Sequence, residues 1–427
     1  MKLTKHFVFF LVLNFFIIEG QAQKLKLNLD ETGKTYIKGS LRGQFWARYY
    51  DTNPGTTVNG DPTGSITDFS IRRIRANISA QLTPKIFVYA LLGGNNINSK
   101  TEKDFEFDIL DFYAEYEFSK AISIGMGESS WDGLDRWNVR SSKSLMALDA
   151  PLFSLLTVNK NDDLARGLGA WAKGQIGKFD YILAIKSPTT YGVEATEGKV
   201  DFALNNTKKR TSGYVKYEFW DNESNKTAYS GGTGTYLGKK KLLNLGAGFM
   251  LQPDMTSQLV NGIEEYYDYK NWAIDAFLEF PLNERNAALT SYLGFFNTNF
   301  GPNYIRNLGA NDIADSSGTS FNGGGNDYPM MGTGETIFFQ LGYLLPKFKK
   351  STHRVQPNIA VQYSDFDALD DPMVTYDLGI NYYLKGHSNK LTLGYQDRPI
   401  FNENELGKIK KTSRRGMLIL QYQIEIN

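Results

Sequence analysis

The sequence predicts an all-β fold, a transmembrane antiparallel β-barrel of sixteen strands with long extracellular loops and short periplasmic turns. Three observations carry this. The C-terminal segment puts Leu418, Leu420, Tyr422, Ile424 and Ile426 on one face and Ile419, Gln421, Gln423 and Glu425 on the other. Strand side chains alternate, so one face suits lipid and the other water. Beyond the N-terminus no apolar run approaches the ~20 residues of a spanning helix, which excludes a helical membrane protein. The connections between alternating segments are themselves alternately short and long.

The N-terminus reads as a secretory signal. Lys2 and Lys5 precede an apolar run over residues 7–18, and Gly20 and Ala22 stand at the small-residue positions of a cleavage site after Ala22. The run is interrupted by Asn14 and is too short to cross ~30 Å of hydrocarbon. Residues 23–427 are then the barrel domain, exported to the outer membrane of a Gram-negative cell.

Zero cysteines exclude disulfides, thiolate metal sites and cysteine nucleophiles, so stability must come from closing the sheet. Cleavage removes Lys2, Lys5 and Glu19, so 47 basic and 46 acidic side chains become 45 of each. Such neutrality gives no long-range field for nucleic acid. The 25 Tyr and 28 Phe suit the aromatic girdles of a barrel whose partner is outer-membrane lipid.

Strands are expected to begin near Thr35, Asp68, Ile86, Asp104, Ala121, Leu164, Phe179, Arg210, Leu242, Tyr269, Ala287, Thr333, His353, Met373, Lys390 and Ser413. Tight connections at 83–85, 119–120, 177–178, 281–286, 346–352 and 386–389 are the periplasmic turns. Polar stretches at 52–66, 129–163, 187–208 and 299–331 lie on the outer side, and of these 129–163 is expected to fold into the lumen, because it combines Arg136, Arg140 and Lys143 with Leu145, Met146, Leu148, Leu152 and Phe153, which can pack inside against the wall. The Gly-rich connection 222–240 falls on the periplasmic side, so either that turn is long or a hairpin has been missed.

Parity assigns the lumen. In strand one, Ile37, Leu41, Phe45 and Tyr49 face lipid, leaving Lys38, Ser40, Arg42, Gln44, Trp46 and Arg48 inside. Strand two turns Arg73, Arg75, Asn77, Ser79 and Gln81 inward, and strand thirteen turns Arg354, Gln356, Asn358, Gln362 and Ser364 inward. A charge on the lipid face costs ~2–4 kcal/mol at midplane, which makes parity a strong constraint. Strand three, from Ile86 to Leu92, is apolar on both faces and gives no such signal. The lumen also receives Asp111, Glu115 and Glu117 from strand four and Glu279 from strand ten, an acidic wall expected to oppose the basic one.

Two segments carry a family resemblance. Phe69-Ser70-Ile71-Arg72-Arg73-Ile74-Arg75, and the hairpin from Asn381-Tyr382-Tyr383-Leu384-Lys385-Gly386-His387 to Leu393, resemble the phosphate-selective porin O and P family in its Bacteroidetes-type form. Ser141-Ser142-Lys143-Ser144-Leu145, Asp149 and Gly167-Leu168-Gly169 are similar to that family's segment around an inward-folded third loop. The likeness spans nearly the whole mature chain, except that Asn427 stands where many outer-membrane barrels end in Phe. It implies a sixteen-stranded barrel, usually a homotrimer, whose third loop narrows the pore, and in phosphate-selective members an arginine ladder and a lysine cluster. Onto this sequence it carries Arg73 and Arg75, and more loosely Arg136, Arg140 and Lys143.

The expected function is a porin, a passive diffusion channel for small hydrophilic solutes. Anion or phosphate preference, little selectivity and another specific solute all stay open. Arg42, Arg48, Arg73, Arg75, Arg136, Arg140 and Lys143 are the anion-guiding candidates. The alternative is a binding or structural scaffold with an occluded lumen. No catalytic site, cofactor or metal is expected: the mature chain keeps only His353 and His387, both at strand ends, and His387-Ser388 sits in a turn. Asp365, Asp367, Asp370 and Asp371 read as solvated loop charge rather than as a calcium site.

Overall fold

Sixteen strands pair each with the next, and the last pairs with the first. The computed structural model describes residues 25–427 apart from 102–107, 140, 159–165, 190–191, 231–232, 283–285, 316–317 and 349–350. The expected signal segment lies outside the described residues. The wall strands are β1 (Tyr36–Asp51), β2 (Ser65–Gln81), β3 (Ile86–Ile97), β4 (Asp108–Ser119), β5 (Ile122–Ser129), β6 (Gly167–Ile176), β7 (Phe179–Lys186) and β8 (Arg210–Glu218). They continue as β9 (Leu242–Val260), β10 (Ile263–Leu282), β11 (Ala287–Asn299), β12 (Gly334–Leu344), β13 (Arg354–Phe366), β14 (Met373–Tyr383), β15 (Asn389–Glu403) and β16 (Ile409–Ile426). Every pairing is antiparallel, and β1 closes on β16 with Arg42 opposite Glu425 and Tyr50 opposite Met417. Closure satisfies the backbone polar groups that lipid leaves without a partner.

The parity set by period two holds along the wall. Ile37, Leu41, Phe45 and Tyr49 are exposed toward lipid, while Gln44, Trp46 and Arg48 are buried inside. In β3, which is apolar on both faces, Phe87, Tyr89 and Leu91 turn inward and Ile86 and Leu92 outward. Two parts of the sheet carry no expectation from the sequence, one at the N-terminus and one at the tips of β9 and β10. Lys26–Asn28 forms a short strand on β1, with Leu27 opposite Ile37. It occupies the edge of β1 below the last residues of β16, and its Leu25, Leu27, Leu29 alternation was the available signal. β9 and β10 run into a two-residue turn at Asn261 and Gly262, both with positive φ, the turn that Asn-Gly favours. Polar residues such as Glu264 and Glu265 continue β10 well before Tyr269, where alternation begins.

The lumen is occupied from three directions. Residues 130–158 of the third loop turn inward, and Leu145, Leu152, Phe153, Leu155 and Leu156 pack on Ala273, Phe277, Tyr292, Phe296 and Phe338 of β10, β11 and β12. At ~1.5–3 kcal/mol per buried large apolar side chain, this contact holds the loop firmly to one side of the barrel. The inner face of these strands is therefore apolar where the loop lies on it. The connection 219–241 is a long turn, with no missed hairpin among its described residues, and it enters from the short-turn end. From the opposite end the described residues of 300–333 fold over the mouth, where Asn53 donates to the carbonyls of Gly324 at 3.0 Å and Asp327 at 2.8 Å.

Candidate functional site: a basic cleft between the third loop and the wall

With the third loop packed against β10–β12, lumenal space remains along β1–β3. Its central part is a cavity of about 120 Å³, lined by Ser40, Arg42, Arg73, Arg75, Asn77, Tyr89, Ser142, Lys143, Arg166, Tyr229 and Glu425, among others. At about 30 Å³ per water it has room for a few waters or one small ion.

Register builds the basic side. Arg42 of β1 stands directly opposite Arg75 of β2, and Gln44 opposite Arg73. Two like charges across one pair repel, so both guanidiniums rely on neutral acceptors. Arg42 donates to Ser142 Oγ at 2.9 Å. Arg75 donates to the carbonyls of Ile74 and Gly94, each at 2.7 Å, and to Asn95 Oδ1. Among the described residues neither is ion-paired with a carboxylate. Arg73 donates to Gln44 Oε1 at 3.1 Å and pairs with Asp149 of the third loop. Lys143 pairs with Glu425 across the cavity.

A β-bulge changes the parity of β2. The register slips between Gln44 and Phe45, which leaves Arg72 and Arg73 both pointing inward. Arg72 then shares Asp149 with Arg73 at 3.1 Å and lies 5.2 Å over the Trp46 ring. Beyond the bulge Ser70 and Asp68 are inside, and Phe69 is 78% exposed on the lipid side. Arg72 was missed by strict alternation, although two adjacent arginines in a membrane strand can both avoid lipid only at a bulge.

The other sequence candidates stand elsewhere. Arg48 is buried in a pair with Asp68 at 2.6 Å and donates to Ala310 O at 2.7 Å, so it anchors the loop over the mouth. Arg136 is buried and bidentate on Glu223, both contacts 2.6 Å. Neither lines the cavity. Arg140 lies outside the described residues.

Glu279 is buried on β10, where it accepts from Thr290 Oγ1 and the Gly238 amide, each at 2.7 Å; Asp111, Glu115 and Glu117 do not oppose the arginines. They sit on β4, two strands from β2 on the same side of the barrel. Gln81 is opposite Phe87, and Phe87 opposite Glu115, so Glu115 lies level with Gln81, about 20 Å along the strand from Arg75. Glu115 pairs with Lys173 at 2.9 Å, and Asp111 with Arg166 at 3.2 Å. Glu117 lines a wider cavity of about 600 Å³ at the short-turn end, with Lys34, Lys85, Lys120 and Lys226.

The carboxylate that holds the interior together is Glu223. Besides Arg136 it accepts from Lys216 Nζ at 2.9 Å, Asn244 Nδ2 at 2.7 Å and Tyr236 Oη at 2.5 Å. Burial works against its ionisation, but Arg136 and Lys216 outweigh it and hold the carboxyl at about 2. At the acidic loop tip, Asp370 and Asp371 accept the Ile409 and Lys411 amides at the start of β16.

A scan of family models finds no match, and a search of curated proteins likewise finds none. Among solved structures the chain is similar to OmpF of Salmonella typhi, solved with daunomycin, at 9% identity over 92% of this chain and 98% of that one, with a TM-score of 0.53. It is also similar to OprB of Pseudomonas putida, at 9% identity over 92% of this chain and 95% of that one, with a TM-score of 0.51. Identity so low speaks for the fold alone, the closed antiparallel β-barrel described above.

Proposed function

We propose that this protein is an outer-membrane porin, exported by a cleaved N-terminal signal, through which small hydrophilic solutes diffuse with preference for anions. The observation that carries the preference is the Arg42–Arg75 pair: two inward guanidiniums face each other across β1 and β2 on a small cavity, without a carboxylate partner among the described residues. In a narrow, partly desolvated passage such charges act more strongly than in bulk water, and they favour an anion that replaces lost hydration. Phosphate is the finer form of this proposal, supported by the resemblance of the early arginine-rich strand. The same resemblance supports a homotrimer.

A second reading is favoured by one observation. The third loop, the connection 219–241 and the loop over the mouth together fill much of the lumen, as a barrel used for binding or scaffolding would require. Single-channel recording separates the two. The channel reading expects stepwise current in chloride that phosphate reduces at fixed chloride, because the slower anion competes for the same cavity. A folded, inserted barrel that passes no current establishes the scaffold and removes the channel. Current that phosphate leaves untouched keeps the channel and removes the phosphate preference.

A further inference from the structure

The connection 219–241 lines both cavities, and this gives it a part in permeation that sequence reading did not assign. Four elements show the same order along the barrel axis. On β1, Tyr36 belongs to the wide cavity and Ser40 to the basic one; on β2 the corresponding residues are Gln81 and Asn77. On β3 they are Phe87 and Tyr89, and on the connection Lys226 and Tyr229. The two cavities are therefore stacked, and the divide between them falls where the connection crosses the inner face of β3.

At that divide the Tyr229 ring lies 5.8 Å from that of Tyr89. Tyr89 stacks in turn on Tyr113 at 5.3 Å, and Tyr113 meets Trp171 edge-on at 5.3 Å. Just below, the Lys226 ammonium stands 5.5 Å over the Phe87 ring. The Tyr229 hydroxyl donates to Asp111, and Arg166 donates to it at 3.0 Å. Lys173 grips the carbonyls of Asn225 at 2.7 Å and Lys226 at 3.2 Å. A tethered aromatic ring backed by a packed stack is a rigid wall for a passing solute, since its position is fixed by both polar and ring contacts.

We propose that residues 226–229 form a second constriction, in series with that of the third loop, and that Tyr229 against Tyr89 sets the size of solute that passes between the basic cavity and the short-turn vestibule. The inference rests on the channel reading above. It assigns size exclusion to the periplasmic connection and leaves charge preference to β1 and β2.

The test is liposome swelling with neutral sugars of increasing size, run beside single-channel conductance on full-length Tyr229→Ala, Tyr229→Phe and Tyr89→Ala proteins, with folding checked by heat-modifiable gel mobility. Removing either ring is expected to raise conductance and to give a severalfold rise in the swelling rate with the larger sugars. Tyr229→Phe keeps the ring and is expected to keep the size limit near the wild type's. Because Tyr89→Ala opens the same contact from the wall, a misfolded Tyr229→Ala leaves the claim testable. Folded alanine variants with wild-type conductance and size limit overturn the constriction while the channel stands. If wild type and variants all pass neither ions nor sugars, the channel reading falls and this inference with it. If the variants widen the path while wild type shows no anion preference, the constriction stands and the charge assignment fails.

Discussion

Arg42 and Arg75 show how a pairing register converts two ordinary residues into a charged site. Parity alone put both inside; only the ladder put them opposite one another, and only the folded loop walled them into a small cavity with Lys143. Arg73 differs, because Asp149 neutralises part of its charge. Replacing Arg73 and Arg75 together by Gln should lower the chloride over potassium permeability ratio while heat-modifiable mobility still reports a folded barrel. The difference from wild type should shrink as salt screens the charges. An unmoved ratio with lowered heat stability in detergent would make the two arginines structural. Glu223→Ala should loosen the interior, since it leaves Arg136 and Lys216 buried without their carboxylate, a loss of ~3–5 kcal/mol for a broken buried pair. Hydrogen exchange across residues 219–241 and 130–138 reads it. Its pH dependence has a definite sign. The folded carboxyl titrates at about 2 against an ordinary 4.5, so its contribution is complete above 4.5 and is lost as pH falls toward 2. Protection of the connection's amides relative to their intrinsic exchange rates should fall over that window in wild type and show no such step in Glu223→Gln.

The third loop and the periplasmic connection were unequally legible. The loop combined cations with Leu145, Met146, Leu148, Leu152 and Phe153, and an apolar run between two strands of a wet barrel has only the inner wall to bury it. Its inward fold was therefore readable, whereas the fate of its cations was not. Arg136 finds Glu223 at a sequence separation of 87, and nothing local marks that pair. The connection read as an anomaly of length, and its glycines gave no direction. One of them shows why they are needed: at Gly234 a Cβ would stand 2.6 Å from the Ser144 carbonyl oxygen, so loop and connection touch backbone to backbone. Deletion of residues 141–158 should raise single-channel conductance, because it empties the side of the barrel filled by Leu145 to Val158. Unchanged conductance would mean that the path never passed beside this loop.

At the scale of the whole molecule, strand number, order and closure were legible because alternation is enforced by two solvents, lipid outside and water or protein inside. Where one solvent is missing the signal fades, as at the tips of β9 and β10, which are paired yet do not alternate, with Leu259 beside Val260 and Glu264 beside Glu265. A bulge defeats parity for a different reason: one extra residue at Arg72 reverses every assignment beyond it in β2. The charge balance of the chain is no guide to its lumen, since interior carboxylates such as Asp68, Glu223 and Glu115 are spent in pairs with Arg48, Arg136 and Lys173, while Arg42 and Arg75 on the basic cavity have no carboxylate pair among the described residues. The most direct test of that account is the zero-current potential of the wild-type channel across a potassium chloride gradient in a planar bilayer. The account predicts a potential of the sign that chloride diffusion sets, decreasing toward zero as both sides are raised in salt at a constant ratio. A potential of the sign set by potassium, or none at any salt concentration, would contradict it.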